Sequence, residues 1–187
     1  MIGRIDGYAG MLDLGLIHVL CEQNRGVSSA MIRTFEQKDL QYVIEAHIRI
    51  YRNEYNYDHS FAIFIEESVQ EFSRTCRPEK EMIWIVDLDG VASGCIGLVE
   101  LNEHTAQLRW FLIEPEARNE GWGRQLVERA IQFAREQDYA LILLWTNQDL
   151  TGARRLYQSF GFHVAETKRQ FLSGQELTEE KWVLPLT

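Results

Sequence analysis

The chain has 187 residues, a formal net charge of −9 and three cysteines, Cys21, Cys76 and Cys95, that lie far apart. That length accommodates one domain with a sizeable core. The acidic balance argues against nucleic-acid binding, no apolar run is long enough to cross a membrane, and no C-x-x-C or Cys/His pair has metal-ligand spacing. A metal-free cytoplasmic protein with free thiols is expected.

Residues 1–29 are the least interpretable part. Met11 to Cys21 reads as a short amphipathic helix and Asn24 to Ser29 as a linker, while Asp6 and Asp13 interrupt any secretory signal. This extension is a docked arm, a remnant of an upstream domain, or sequence ahead of a start at Met31. The last two fit best, because Met31 opens the next element naturally.

The main domain is assigned to residues 30–187. Ala30 to Phe35 reads as a strand. From Asp39, Leu40, Val43, Ile44, His47, Ile48 and Tyr51 recur at helical spacing. Tyr51 to His59 is a polar, aromatic-rich connection. A second helix spans about Ser60 to Arg74, and Pro78 marks the break after it. Met82 to Leu88 and Val91 to Leu101 are strands joined by Asp89-Gly90, a strong hairpin signal. In the next strand, Ala106 to Ile113, alternation puts Ala106, Leu108, Trp110 and Leu112 on one face, with Gln107, Arg109, Phe111 and Ile113 on the other. A long helix runs to about Gln137. Ala140 to Trp145 suits a strand buried on both faces. A helix at Thr151 to Ser159 ends at Gly161, and Phe162 to Phe171 and Glu176 to Leu186 close the chain as a hairpin around Ser173-Gly174.

Between the third of the central strands and the long helix lies R-x-x-G-x-G, formed by Arg118, Gly121 and Gly123. Such a loop leaves backbone N–H groups unpaired at a helix mouth, where the helix dipole favours an anion. Arg118 and Arg124 would help to neutralise a diphosphate. The bland alternative is an ordinary glycine turn.

The order β-α-α-β-β-β-α-β-α-β-β resembles the GNAT superfamily of N-acetyltransferases. So do two motifs in register: Arg118-Asn119-Glu120-Gly121-Trp122-Gly123, and Thr146-Asn147 followed by Ala153-Arg154-Arg155-Leu156-Tyr157 and Gly161-Phe162. The resemblance covers about residues 31–187. It implies an α/β fold with a mixed central sheet of seven strands flanked by four helices. More narrowly, Tyr51, Glu54-Tyr55, Asp58 and Phe61 with Leu144-Trp145-Thr146-Asn147 look like the acetyltransferase domain often fused behind a MarR-type DNA-binding regulator. No such DNA-binding domain fits before Met31, so that function is not carried over.

The resemblance implies acetyl-CoA as co-substrate and no metal. Arg118, Asn119, Glu120, Gly121, Trp122, Gly123 and Arg124 would hold its pyrophosphate. The exposed strand edge at Phe111, Leu112 and Ile113 would hold the pantetheine and acetyl carbonyl, because that strand splays from the next in this fold. Asn147 matches a cofactor-contacting position; a turn cap is the competing reading. Tyr157 would act as general acid to the departing thiolate, a tyrosine with reference pKa about 10 keeping its proton at neutral pH. Trp122 is bulkier than the aliphatic residue common there, but only its backbone is needed.

The base departs from the pattern. Some relatives place a glutamate where this chain has Gln107. Glu100 and Glu103 are substitutes by neighbourhood only, and for Glu100 a solvated strand-end carboxylate is the competing reading. The acceptor pocket would be built by Tyr51, Glu54, Tyr55, Tyr57, Asp58 and His59, whose aromatics and carboxylates suit a cation. An ordinary solvated loop is the alternative. His47 reads as a packed histidine. The expected partner is an amine acceptor, a small molecule or peptide, without nucleic acid or membrane; dimers are common among similar domains. The rival reading is a non-catalytic acyl-CoA-binding module.

Overall fold

The structure, a computed structural model, describes residues 29–186. The helix expected at Met11 to Cys21 and most of the linker after it lie outside the described residues. Seven strands form one sheet: β1 (Ala30–Thr34), β2 (Met82–Leu88), β3 (Val91–Asn102), β4 (Thr105–Ile113), β5 (Leu141–Asn147), β6 (His163–Leu172) and β7 (Gln175–Pro185), in the order β1-β2-β3-β4-β5-β7-β6. Four α-helices flank it: α1 (Leu40–Tyr55), α2 (His59–Thr75), α3 (Trp122–Glu136) and α4 (Thr151–Ser159).

Turn chemistry fixes the meander. Asp89 and Gly90, at φ 54° and 85°, form one two-residue hairpin, and Ser173 and Gly174, at φ 53° and 80°, form the other. Asp58 caps α2 by accepting a hydrogen bond from the Ser60 amide at 2.9 Å. Gly161, at φ 92°, follows the end of α4.

The helices divide between the two faces. Leu126, Ala130 and Ala134 of α3 pack with Leu108, Ile142 and Leu144 on one side of the sheet. Val43 and Ile50 of α1 and Ile65 and Phe72 of α2 pack with Ile83, Ile85 and Cys95 on the other.

Strand β4 does not keep the simple alternation read from its sequence. Gly97 pairs with Arg109 and Cys95 with Leu112, so Ile96 alone stands opposite Trp110 and Phe111. This β-bulge exchanges the faces. Ala106 and Leu108 join the α3 side, and after the bulge Phe111 and Ile113 join them there, whereas Trp110 and Leu112 turn to α1 and α2. Trp110 adopts φ 49°, an uncommon conformation for a bulky residue. Its surroundings hold it there. The indole donates to Ser68 Oγ at 3.2 Å, and its ring meets Phe72 edge-on at 5.3 Å. Cys95 Sγ donates to the Trp110 carbonyl at 3.1 Å.

Candidate active site

The bulge opens a gap in the sheet. β4 and β5 pair in parallel only where Thr105, Ala106 and Gln107 meet Leu141, Ile142 and Leu143. Beyond Gln107 they part, while β5 stays paired with β7 as far as Asn147 and Glu179. Backbone groups of β4 from Leu108 onward therefore face the gap without a strand partner, and they must be satisfied by water or a ligand.

Two cavities fill this V. The larger, about 420 Å³, is lined by Phe111, Leu112 and Ile113 of β4 and by Arg118, Asn119, Gly121, Trp122, Gly123 and Arg124. Asn119 and Gly121, at φ 66° and 89°, bend the loop into α3. No side chain caps this helix, and the hydrogen bond from Gln125 N to Gly121 O, at 3.1 Å, belongs to its first turn. The amides of the preceding three residues have no carbonyl in their own helix to reach, which suits an anion. Gly123 is needed for close approach: a Cβ there would sit 3.2 Å from Phe111 Cζ. Glu120 does not line the cavity; its carboxylate accepts from the Trp122 indole N–H at 3.2 Å.

The two arginines are engaged. Arg118 donates to both carboxylate oxygens of Glu54, at 2.8 and 3.0 Å, and to the Ile113 carbonyl at 3.1 Å. The hydrogen bond to Glu54 raises the pKa of Arg118 above its ordinary value, against desolvation. Arg124 donates to Ser159 Oγ at 3.0 Å and lies over the Phe160 ring.

The smaller cavity, about 220 Å³, lies on the α1 and α2 side of the gap, and the two share Tyr51, Phe111, Leu150 and Ala153 as walls. Tyr157 lines this second cavity, 5% exposed, with its ring centroid 5.9 Å from that of Phe111. Burial, and then the neighbouring Tyr51, push its pKa above the ordinary tyrosine value, so it stays protonated.

Asn147 also lines the second cavity rather than the first. Its Nδ2 donates to Tyr57 Oη at 3.3 Å and its Oδ1 accepts from the Asp149 amide at 3.2 Å. The turn-capping arrangement is thus present alongside a hydrogen bond to a cavity tyrosine.

Other candidates are placed elsewhere. Glu100 sits opposite Ala106, near the paired end of β4, and forms an ion pair with Arg77. It lines neither cavity, so the structure does not bring it to the reacting groups. Glu54 is held by Arg118, and Asp58 by its helix cap. Both carboxylates expected to face an acceptor thus already have partners within the protein. Tyr51 lines both cavities, Tyr55 only the larger and Tyr57 only the smaller.

The sequence reading missed Arg109, Trp145 and Glu179 as cavity residues. Only the three-dimensional pairing of β5 with β7 brings Glu179 beside Asn147. Glu179 accepts from Gln170 and lies 3.6 Å from Lys168 Nζ. His47 also borders this cavity. It is fully buried, its Nδ1 lies 2.7 Å from the Val43 carbonyl, and burial pulls its pKa from 6.5 to about 4.

The profile of the Acetyltransferase (GNAT) family matches residues 40–162. The chain belongs to this family. The matched segment of this GNAT protein contains both motifs up to Phe162, the first two helices and the splayed strands. Among GNAT relatives, human N-acetyltransferase 8 is 31% identical over 84 residues, 42% of this chain and 37% of its own length. N-acetylaspartate synthetase of Danio rerio is 29% identical over 100 residues, 52% of this chain and 36% of its own length. The chain thus spans little more than a third of these curated relatives. In fold it is similar to yncA of Salmonella typhimurium, solved with its cofactor acetyl-CoA. The TM-score is 0.68 at 18% identity, over 86% of this chain and 95% of that one. Among the described residues no group of His, Cys, Asp or Glu could hold a metal ion, and no helix is long and apolar enough to cross a membrane.

Proposed function

We propose that this GNAT chain transfers acetyl from acetyl-CoA directly to the amine of a small acceptor. The observation that carries this is the pair of adjoining cavities in the β4–β5 gap, one ending at the uncapped mouth of α3 and the other bordered by Tyr157. The donor set fits the nucleotide: orphan amides and a positive-φ glycine for a diphosphate, and an unpaired strand edge for an extended amide chain. When bound, acetyl-CoA supplies the activated acetyl thioester.

The residues then divide the work. The free amides of β4 near Phe111 and Leu112 hydrogen-bond and orient what lies in the gap. Tyr157 keeps its proton and can donate it towards the sulfur. Buried Phe162, Trp182 and Leu144 pack around Tyr157 and exclude water behind it. The acceptor amine enters on the α1 and α2 side. Glu179 is the carboxylate in that cavity and accepts the amine proton, directly or through water. Cys95 is no nucleophile: burial holds its thiol protonated and it is committed to the Trp110 carbonyl. The free Cys76 and Cys95 suit a reducing, cytoplasmic compartment.

One observation favours the rival reading of a binding module. Glu179 is already engaged by Gln170 and Lys168, which lowers its use as a base. Calorimetry with acetyl-CoA, followed by thiol release with a panel of amines, separates the two. Amine-dependent release supports transfer. Tight binding without release on that panel supports the module, and no binding sinks both.

A further inference from the structure

Among the described residues, Arg109 is the cation of the second cavity that no carboxylate balances. Its guanidinium lies 4.6 Å from the Trp110 ring centroid and 5.7 Å from that of Phe64, and it lines the cavity from the β4 side. No ion pair or hydrogen bond joins it to another described residue. Other cations near the site are neutralised: Arg118 by Glu54, Arg154 by Glu180 and Lys168 by Glu179. Five N–H donors held half-buried against two aromatic faces, without an acceptor, form an incomplete site. Desolvation alone pulls the Arg109 pKa down, consistent with a charge lacking its counter-ion.

We propose that Arg109 binds a carboxylate of the acceptor, so that the substrate is a small amino acid rather than a polyamine or a simple alkylamine. This rests on the transfer reading above. Three observations give it shape. Arg109 and Phe111 stand two residues apart, on either side of the bulged Trp110 of β4, and both line this cavity. That short span separates the anion site from the strand edge where the thioester is expected, and a small amino acid can bridge it. The cavity, at about 220 Å³, is below the range of roughly 300–1,000 Å³ usual for drug-sized ligands. Finally, the same cavity presents Asn147 of β5, Glu179 of β7 and, bonded to Asn147, Tyr57 Oη from the α1–α2 connection, all able to accept from an ammonium or amine. A cation on one wall and acceptors on the other complement a zwitterion. One guanidinium matches a carboxylate bidentately and in charge, whereas a phosphate dianion would be left half balanced. A polyamine would meet like charge in a half-buried site.

The test uses matched pairs on the full chain. Each of the twenty standard amino acids is compared with its α-amide and its decarboxylated amine in the thiol-release assay. The expected result is a preference for at least one acid over both partners by ~10-fold or more in kcat/KM, expressed mainly in KM. Arg109→Gln should bring that ratio close to one, and Arg109→Lys, which keeps the charge, should retain part of it. Retained acetyl-CoA binding by calorimetry shows that each variant is folded. Equal use of acid and amide by the native protein, or a preference that survives Arg109→Gln, overturns the inference. If no amine releases thiol, the transfer reading fails separately. The anion site is then decided by calorimetry of N-acetyl amino acids against their amides on CoA-loaded protein. Tighter binding of the acids that disappears in Arg109→Gln supports it, and equal or absent binding overturns it.

Discussion

Glu54, in the last turn of α1, grips Arg118 of the glycine loop with both carboxylate oxygens, across 64 residues of sequence. The pair is part-exposed, at 36% for Arg118 and 29% for Glu54. Its direct contribution to stability is therefore expected at about 1 kcal/mol or less. Its larger effect is electrostatic, because it sets a carboxylate next to the cation that lines the cavity at the mouth of α3.

The two partners should accordingly differ in acetyl-CoA affinity. Arg118→Gln is expected to weaken binding several-fold, since it removes positive charge. Glu54→Gln is expected to leave affinity unchanged or to tighten it at low salt, with the difference shrinking as ionic strength rises. Calorimetry at two salt concentrations measures both. Equal weakening by the two substitutions would instead make the pair a mechanical tie on the loop.

Tyr157→Phe removes one hydroxyl from a buried ring packed by Phe111, Phe162 and Trp182. Turnover should fall by about 100-fold or more, while acetyl-CoA affinity stays nearly constant. Because burial raises this phenol's pKa, the native protein should show no loss of turnover from its ionisation up to pH 10, the ordinary tyrosine value. A comparable loss of affinity would place Tyr157 in binding.

His47 gives the fold an acid-sensitive point. Its pKa falls from 6.5 to about 4 on folding, so the unfolded chain binds the proton more readily. Its stabilising contribution is full above pH 6.5 and is lost as the pH falls towards 4. Between pH 8 and pH 5 the loss from this group is about 2 kcal/mol. His47→Leu should flatten that part of the profile, measured by urea unfolding at both pH values. An unchanged slope would show that His47 does not titrate this way.

Gly97 leaves room for the bulge. A Cβ at this position would lie 2.5 Å from Trp110 Cε3 and 3.3 Å from Ile83 Cγ1. Gly97→Ala must push the indole off Phe72 and Ser68, at a cost of about 1–3 kcal/mol. It should also weaken acetyl-CoA binding, since Trp110 and Phe111 set the course of the β4 edge. Denaturation and calorimetry on the same variant check both halves.

Most of the architecture was legible because local chemistry determines it. Asp89-Gly90 and Ser173-Gly174 announce their hairpins, the apolar stripes announce the four helices, and the glycine loop sits where its motif puts it. The face assignment at Trp110 failed for a physical reason. The bulge arises from register against Gly97 and from packing on Ser68 and Phe72, none of it encoded by neighbours in sequence. The pairing of Glu54 with Arg118 was hidden in the same way, because the two are remote in sequence. Glu100 had looked eligible by proximity to the glycine loop's strand, yet it pairs with Arg77 at the wrong end of β3. Arg109 could have been noticed as a charge inside a half-buried strand, but its lack of a partner is visible only in three dimensions.

Because β4 and β5 touch through three residue pairs alone, the sheet is two slabs joined at a narrow isthmus. One slab is the β1–β4 meander, and the other is β5 with the β7–β6 hairpin. Amide protons that face the open part of the seam have no carbonyl in the neighbouring strand to shield them, although they belong to interior strands. They should exchange with solvent deuterium like edge amides in the free protein, and slow once something spans the two slabs. Alternate residues of Leu144 to Asn147, interior to the sheet yet fast-exchanging, would thus report occupancy of the gap independently of any catalysis.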